Sequence, residues 1–152
     1  MVKEISDKDE KENIASEILS DLPEWFGVPE YTAEYISESL NMPFWASFLN
    51  EEPTGFIALK QTGEFTAEIF VMGVKKRFHR QGTGRELFDA FYRYAKETGY
   101  EFIQVKTVDA GHYEEYDRTR LFYERLGFRK LEVFPELWDK HNPCLVLVMA
   151  VK

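Results

Sequence analysis

Between Asp9 and Leu22 the apolar residues Ile14, Ile18, Leu19 and Leu22 fall at i, i+4, i+5 and i+8, which is one stripe of a helix. "PEYTAEYISESL" predicts a second short helix, with Pro29 near its first turn. The pattern then changes. "PFWASFLN", "GFIALKQ" and "EFTAEIFVMGV" are three strand-like runs, parted by "EEPTG" and "TG", connections short enough for antiparallel hairpins. From Thr83 a helix is expected with Leu87, Phe88, Phe91, Tyr94 and Ala95 on one face and Gly99 as its stop. A strand "FIQVKTV" follows, then a helix from an Asp117 N-cap to Gly127. Two strands close the chain, "FRKLEVF" and "CLVLVMAV", and the second is apolar throughout, which places it inside a sheet. With no repeat, proline-rich linker or low-complexity tract, the whole reads as one α/β unit.

Composition narrows the class. A chain of 152 residues fits one domain, and no apolar run approaches the roughly 18 residues of a membrane helix, so a soluble protein without a membrane partner is expected. "MVKEISDKDEKENI" lacks the apolar core of a secretory signal and is too acidic for a transit peptide, which points to the cytoplasm. Cys144 stands alone, excluding an internal disulfide and a Cys-rich zinc site. His112 and His141 have no partner at ligand spacing, so they read as loop histidines and no metal is expected.

Charge changes the picture more. The net charge of -8 lies entirely in residues 1 to 50, which carry 11 acidic and 3 basic side chains against 16 of each in the rest. Residues 75 to 85 nevertheless hold Lys75, Lys76, Arg77, Arg80 and Arg85 with no acid among them. An acidic surface argues against nucleic acid, while a local basic knot suits one compact polyanion such as a phosphorylated cofactor. Gly82 and Gly84 sit where the next helix begins. A helix start offers unpaired N–H groups and partial positive charge, and glycine admits both positive φ and close approach, so the stretch reads as either a pyrophosphate cradle or a plain solvated turn. Neither a P-loop nor a G-x-G-x-x-G fingerprint is present, since Leu87 occupies the third-glycine position.

The strand "EIFVMGV", the basic loop, "HRQGTG" and the amphipathic helix together resemble the acetyl-CoA site of the GCN5-related N-acetyltransferases (GNAT), whose loop signature is Q/R-x-x-G-x-G/A. His79 stands where that signature has Gln or Arg. "FYERLGF", residues 122 to 128, resembles the family's late helix-to-strand motif, so the resemblance spans residues 44 to 151. It implies a mixed, mostly antiparallel sheet of about six to seven strands flanked by about four helices. It also implies a cofactor-binding core over 44–152, with residues 1–43 as a helical segment on the acceptor side. The implied activity is direct transfer of an acetyl group from acetyl-CoA to a primary amine of a small molecule or peptide. A homodimer is left open, as is a non-catalytic acyl-CoA sensor of the same fold, or a protein-interaction module built on the acidic helices.

The resemblance also implies roles for residues. An alkyl ammonium is neutral only about one part in a thousand at neutral pH, which costs roughly 4 kcal/mol unless a base helps. Glu68 has the spacing of the glutamate that serves as base in the histone-acetylating branch; the alternative is a solvated residue at a strand start. Tyr123 matches the tyrosine that steadies the departing sulfur. The alternative is a core tyrosine, although Leu121, Phe122 and Leu126 offer the apolar stripe while Thr119 and Tyr123 share another face. Tyr116 stands where relatives often carry an asparagine. Gly73 is expected to mark a bulge that bares the backbone of Met72 and Val74 to the pantetheine arm, with the Met72 N–H steadying the carbonyl oxygen. Backbone amides across Arg80, Gln81, Gly82, Thr83, Gly84 and Arg85, beside His79, are expected to hold the pyrophosphate. Cys144 reads as a buried free thiol. Trp25, Phe26, Tyr31 and Tyr35 either line an acceptor pocket or pack the helices against the sheet, and the acidic first third would lie near that pocket.

Overall fold

The structure, a computed structural model, describes residues 1–109, 113–139 and 142–152; His112 and His141 lie outside them. Among the described residues seven strands form one sheet: β1 (Val2–Glu4), β2 (Phe44–Leu49), β3 (Glu52–Gln61), β4 (Thr66–Val74), β5 (Phe102–Val108), β6 (Arg129–Asp139) and β7 (Asn142–Ala150), in the order β1-β2-β3-β4-β5-β7-β6. Every pairing is antiparallel except β4 with β5. The α-helices are α1 (Lys8–Ser20), α2 (Pro29–Ser39), α3 (Thr83–Thr98) and α4 (Glu114–Leu126). This is the mixed α/β architecture that the resemblance implies.

Local chemistry sets the element ends. The Asp7 side chain accepts from the Glu10 N–H and starts α1, while Pro29 opens α2. α3 and α4 stop at Gly99 and Gly127, both left-handed with φ of 100° and 116°. Three expectations are corrected. The β2–β3 turn is Asn50–Glu51, both at positive φ, so that "EPTG" already belongs to β3. α4 begins at Glu114, and Asp117 serves inside its first turn by accepting from Arg120 at 3.3 Å. β1 was not anticipated; three residues carry too little pattern to announce a strand.

Two hydrophobic layers sandwich the sheet. On one face α1 and α2 cover Phe44, Ala46, Phe56, Ala58 and Val71. On the other, α3 and α4 bring Leu87, Phe88, Phe91, Ala95 and Tyr123 onto Trp45, Ile57, Leu59, Ile69, Val105, Leu145 and Leu147. β7 lies inside the sheet between β5 and β6, as its apolar run predicts, and Cys144 within it is fully buried.

Candidate functional site

Pairing between β4 and β5 ends at Ile69↔Val105, although β4 continues to Val74 and β5 to Val108. The sheet therefore forks. Its cause lies one residue on: Ala58 pairs with Val71 and Leu59 with Ile69, which makes Phe70 the extra residue of a bulge. The expected bulge at Gly73 is thus corrected to Phe70, since Gly73 pairs regularly with Phe56. Gly73 has a different task. A Cβ there would stand 3.1 Å from both Ile18 and Leu22, so glycine lets α1 lie close on β4.

The bulge also decides which backbone groups face the gap. The Lys75 N–H donates to the Thr54 carbonyl at 2.9 Å, so the antiparallel alternation turns Lys75 and Gly73 toward β3 and Met72 and Val74 toward the fork. Across it, the Asp109 N–H bonds Pro143, and the same alternation points the Val108 backbone inward. A slot walled by peptide groups results. One of these groups is taken, because the His79 Nε2–H donates to the Val74 carbonyl at 2.6 Å. His79 is therefore turned back onto the strand end.

Below the slot, α3 begins at Gly82, left-handed at φ 84°, with nothing within 4 Å of where a Cβ would stand, and no side chain caps the first turn. Thr83, Gly84 and Arg85 present that turn's amides. Gly84 serves packing: a Cβ there would lie 2.9 Å from Phe122 of α4 and 3.5 Å from Met72 of β4, so three elements meet at this glycine. Gln81 donates to the Arg77 carbonyl at 3.0 Å. Arg80 takes φ 63°, an uncommon choice for a side chain of that size.

The basic knot is largely neutralised from within. Lys75 pairs with Glu17 and, at 3.1 Å, with Glu52; Arg77 also pairs with Glu52 and Lys76 with Glu24, while the Lys76 N–H donates to Asp21. Part of the acidic first third thus serves as counter-charge. Arg85 donates to the Arg125 carbonyl at 3.3 Å. Arg80 alone of the five cations has neither an ion pair nor a hydrogen bond from its side chain among the described residues.

Glu68 is no solvated rim residue. It lies 5 % exposed on the α1/α2 face, where Gln104 donates to its Oε1 at 3.0 Å and Lys106 approaches the same atom at 3.1 Å. Tyr35 and Cys144 share this neighbourhood. Burial first, then the Glu68 charge, raises the Tyr35 phenol, and burial pushes the Cys144 thiol to about 11, so the thiol stays protonated and inert.

Tyr123 is the buried residue of α4, 8 % exposed; Phe122 and Leu126 pack half-buried against the same core, whereas Leu121, 43 % exposed, drops out of the expected stripe. Its ring meets Phe128 edge-on at 5.7 Å and Phe122 at 5.5 Å. Burial, with Tyr35 a lesser contributor, drives its phenol far above the ordinary value, so it is a neutral hydroxyl. Two turns earlier, Tyr116 donates to the Trp25 carbonyl at 3.0 Å and burial pushes it to about 12. Trp25 Nε1 in turn donates to Thr119 Oγ1 at 3.1 Å, and its ring meets His79 edge-on. The α1–α2 connection is thereby latched to α4.

Phe26, Tyr35 and Phe70 stack edge-on in series at 5.8 and 5.4 Å, whereas Tyr31 is 61 % exposed. Trp25, Phe26 and Tyr35 are half-buried residues packed against the α1/α2 layer, Tyr35 meeting the bulge residue Phe70. Gln104 and Lys106 were not singled out from sequence; the alternation of polar residues in "FIQVKTV" was the available signal. Among the described residues no group of acidic, His or Cys side chains could hold a metal, and no helix is long and apolar enough to cross a membrane.

The family model for the acetyltransferase (GNAT) family matches residues 11–128. No curated protein matches the sequence. Among solved structures, one described as a GNAT-family acetyltransferase from Desulfovibrio desulfuricans superposes with a TM-score of 0.84 at 16% identity, covering 100% of this chain and 99% of that one. An aminoglycoside 6'-N-acetyltransferase complexed with coenzyme A gives 0.76 at 18% identity, covering 100% and 97%. The ribosomal-protein-S18-alanine N-acetyltransferase from Escherichia coli gives 0.74 at 16%, covering 100% and 95%.

Proposed function

Because the chain belongs to the GNAT acetyltransferase family, we propose that it is an acetyl-CoA-dependent N-acetyltransferase acting on a primary amine of a small molecule or peptide. The observation that carries this reading is the fork beyond Ile69 and Val105, with the Met72 and Val74 backbone on one wall and Tyr123 buried in the core beneath α4. Such a slot fits an extended chain bearing amides, which a strand edge recognises through main-chain hydrogen bonds. The uncapped start of α3 at Gly82, open where a Cβ would stand, fits a pyrophosphate, with Arg80 beside it. Bound there, acetyl-CoA supplies an acetyl group activated as a thioester.

The chain's own residues supply the rest. Met72 directs its N–H into the slot, where it stabilises a carbonyl oxygen that gains negative charge. Tyr123, kept neutral by burial, donates a hydrogen bond to the departing sulfur. Complete proton transfer from so weak an acid is uphill, so stabilisation of the thiolate is its contribution. Glu68 sits on the opposite face of the sheet, where Gln104 and Lys106 fix its carboxylate, and it receives the proton of the acceptor ammonium. Trp25, Phe26 and Tyr35 border the acceptor's approach. The fully buried, protonated Cys144 takes no covalent part.

The test combines two readouts on one sample. Acetyl-CoA should raise the melting temperature, and one member of a panel of amines should release free thiol. Failure of millimolar acetyl-CoA to stabilise the protein would remove the reading; stabilisation without thiol release on any amine would favour the sensor.

A further inference from the structure

Thr107 Oγ1 is buried, in a residue 4 % exposed, and has no hydrogen-bond partner among the described residues. Among the described residues one other buried side-chain atom lacks a hydrogen bond, Arg120 Nε, and it has the Glu124 carboxylate at 3.8 Å, whereas Lys11 donates to the Leu40 and Met42 carbonyls and Ser39 to that of Ile36. Thr107 is an exception that its position explains. It pairs with Leu145, whose side chain belongs to the layer under α3 and α4, so the Thr107 hydroxyl lies on that same face, which Tyr123 also occupies. It stands two residues beyond Val105, past the last rung that joins β5 to β4. With the extra residue Phe70 left out of the count, the continued register of the two strands sets it opposite Met72 across the fork. An orphaned hydroxyl on the wall of a slot lined by peptide groups is a polar group waiting for a polar ligand.

We propose that Thr107 is a cofactor-contacting residue whose hydroxyl hydrogen-bonds an amide of the pantetheine arm. The inference rests on the acetyl-CoA reading given above. A hydroxyl both donates and accepts, so it can meet either the carbonyl or the N–H of that amide. Valine has nearly the same shape and lacks the hydroxyl, which separates the two states of the protein. In the free protein Thr107→Val removes an unsatisfied buried group and should leave the melting temperature equal or higher. In the complex it removes a hydrogen bond and leaves an amide unpaired.

Calorimetric titration of the parent, Thr107→Val and Thr107→Ser with acetyl-CoA, and separately with adenosine 3',5'-bisphosphate, which lacks the pantetheine arm, tests this. Thr107→Val should bind acetyl-CoA on the order of tenfold more weakly and the bisphosphate unchanged, while Thr107→Ser stays within about threefold of the parent. A Thr107→Val protein that binds acetyl-CoA as tightly as the parent overturns the inference. So does one that loses both ligands equally, which marks a general disturbance of the fold. If the parent itself binds no acetyl-CoA, the functional reading falls and the inference with it.

Discussion

The Lys106 ammonium stands 3.1 Å from the Glu68 carboxylate and ties β5 to β4 on the α1/α2 face, at the point where their backbones part. Gln104 and Lys106 both load Oε1, which leaves Oε2 as the oxygen open to a proton. The Glu68→Gln variant keeps the shape and loses the base. Its kcat/KM should fall about 100-fold, and its pH–rate profile should lose the limb that reports the carboxylate. A profile that superposes on the parent's would eliminate the role.

Tyr123→Phe preserves the ring contacts with Phe122 and Phe128 and deletes only the hydroxyl. Turnover should drop roughly 10- to 100-fold while acetyl-CoA affinity changes less than about threefold. Equal losses in both would mean that the hydroxyl holds the ligand rather than the developing charge.

The internal pairing of the basic knot separates its members. Arg80→Gly removes the unpaired cation and also relieves its left-handed backbone, so KM for acetyl-CoA should rise about three- to tenfold with no loss of thermal stability. Lys76, already paired with Glu24, should tolerate replacement by Ala with a KM change under about twofold. Steady-state kinetics on the two variants reads the difference, and the reverse ranking would contradict the assignment.

Alkaline pH should weaken the fold in a defined window. Burial raises Cys144 from 9.0 to about 11 and Tyr116 from 10.0 to about 12, so the folded chain keeps protons that the unfolded chain releases. The sign follows: this stability is intact below about pH 9 and drains as pH climbs through 11 and 12. Melting temperature against pH checks it, with Cys144→Ala flattening the first part of the decline. A constant melting temperature from about pH 8 to about pH 11 would contradict both shifts.

Gly84→Ala places a methyl 2.9 Å from the Phe122 ring, and α4 must shift to admit it. The loss should be about 1–3 kcal/mol in denaturant unfolding. Because Phe122 adjoins Tyr123, turnover should fall as well. By contrast Gly82→Ala meets open space and is strained only through its positive φ, so its loss should be nearer to about 1 kcal/mol.

What could be read from the chain divides by distance along it. α3 announced itself through a single apolar face and a terminal Gly99, and β7 through an unbroken apolar run, because both signals are local. The partners Glu17 of Lys75 and Glu24 of Lys76 were illegible, since they lie over 50 positions upstream and reach them only through the packing of the first third on β4, and Glu52 meets Arg77 only through the pairing of β3 with β4. The bulge escaped for a related reason. Phe70 has no residue type that marks it, and its place emerges only from the register with β3. For α4 the apolar count misled: Leu121 looked like core, yet Tyr123 is the residue that the sheet buries.

The extra residue at Phe70 makes β4 a matter of parity. Up to Ile69 the odd-numbered residues turn their peptide groups toward β5; beyond Phe70 the even-numbered ones turn that way. Deleting or inserting one residue between Glu68 and Met72 would therefore invert every group downstream at once, aiming Gly73 into the slot and Lys75 away from Glu17. Side chains along this stretch can be exchanged one at a time, but their number is fixed, and a redesign of the slot has substitution open to it and change of length closed.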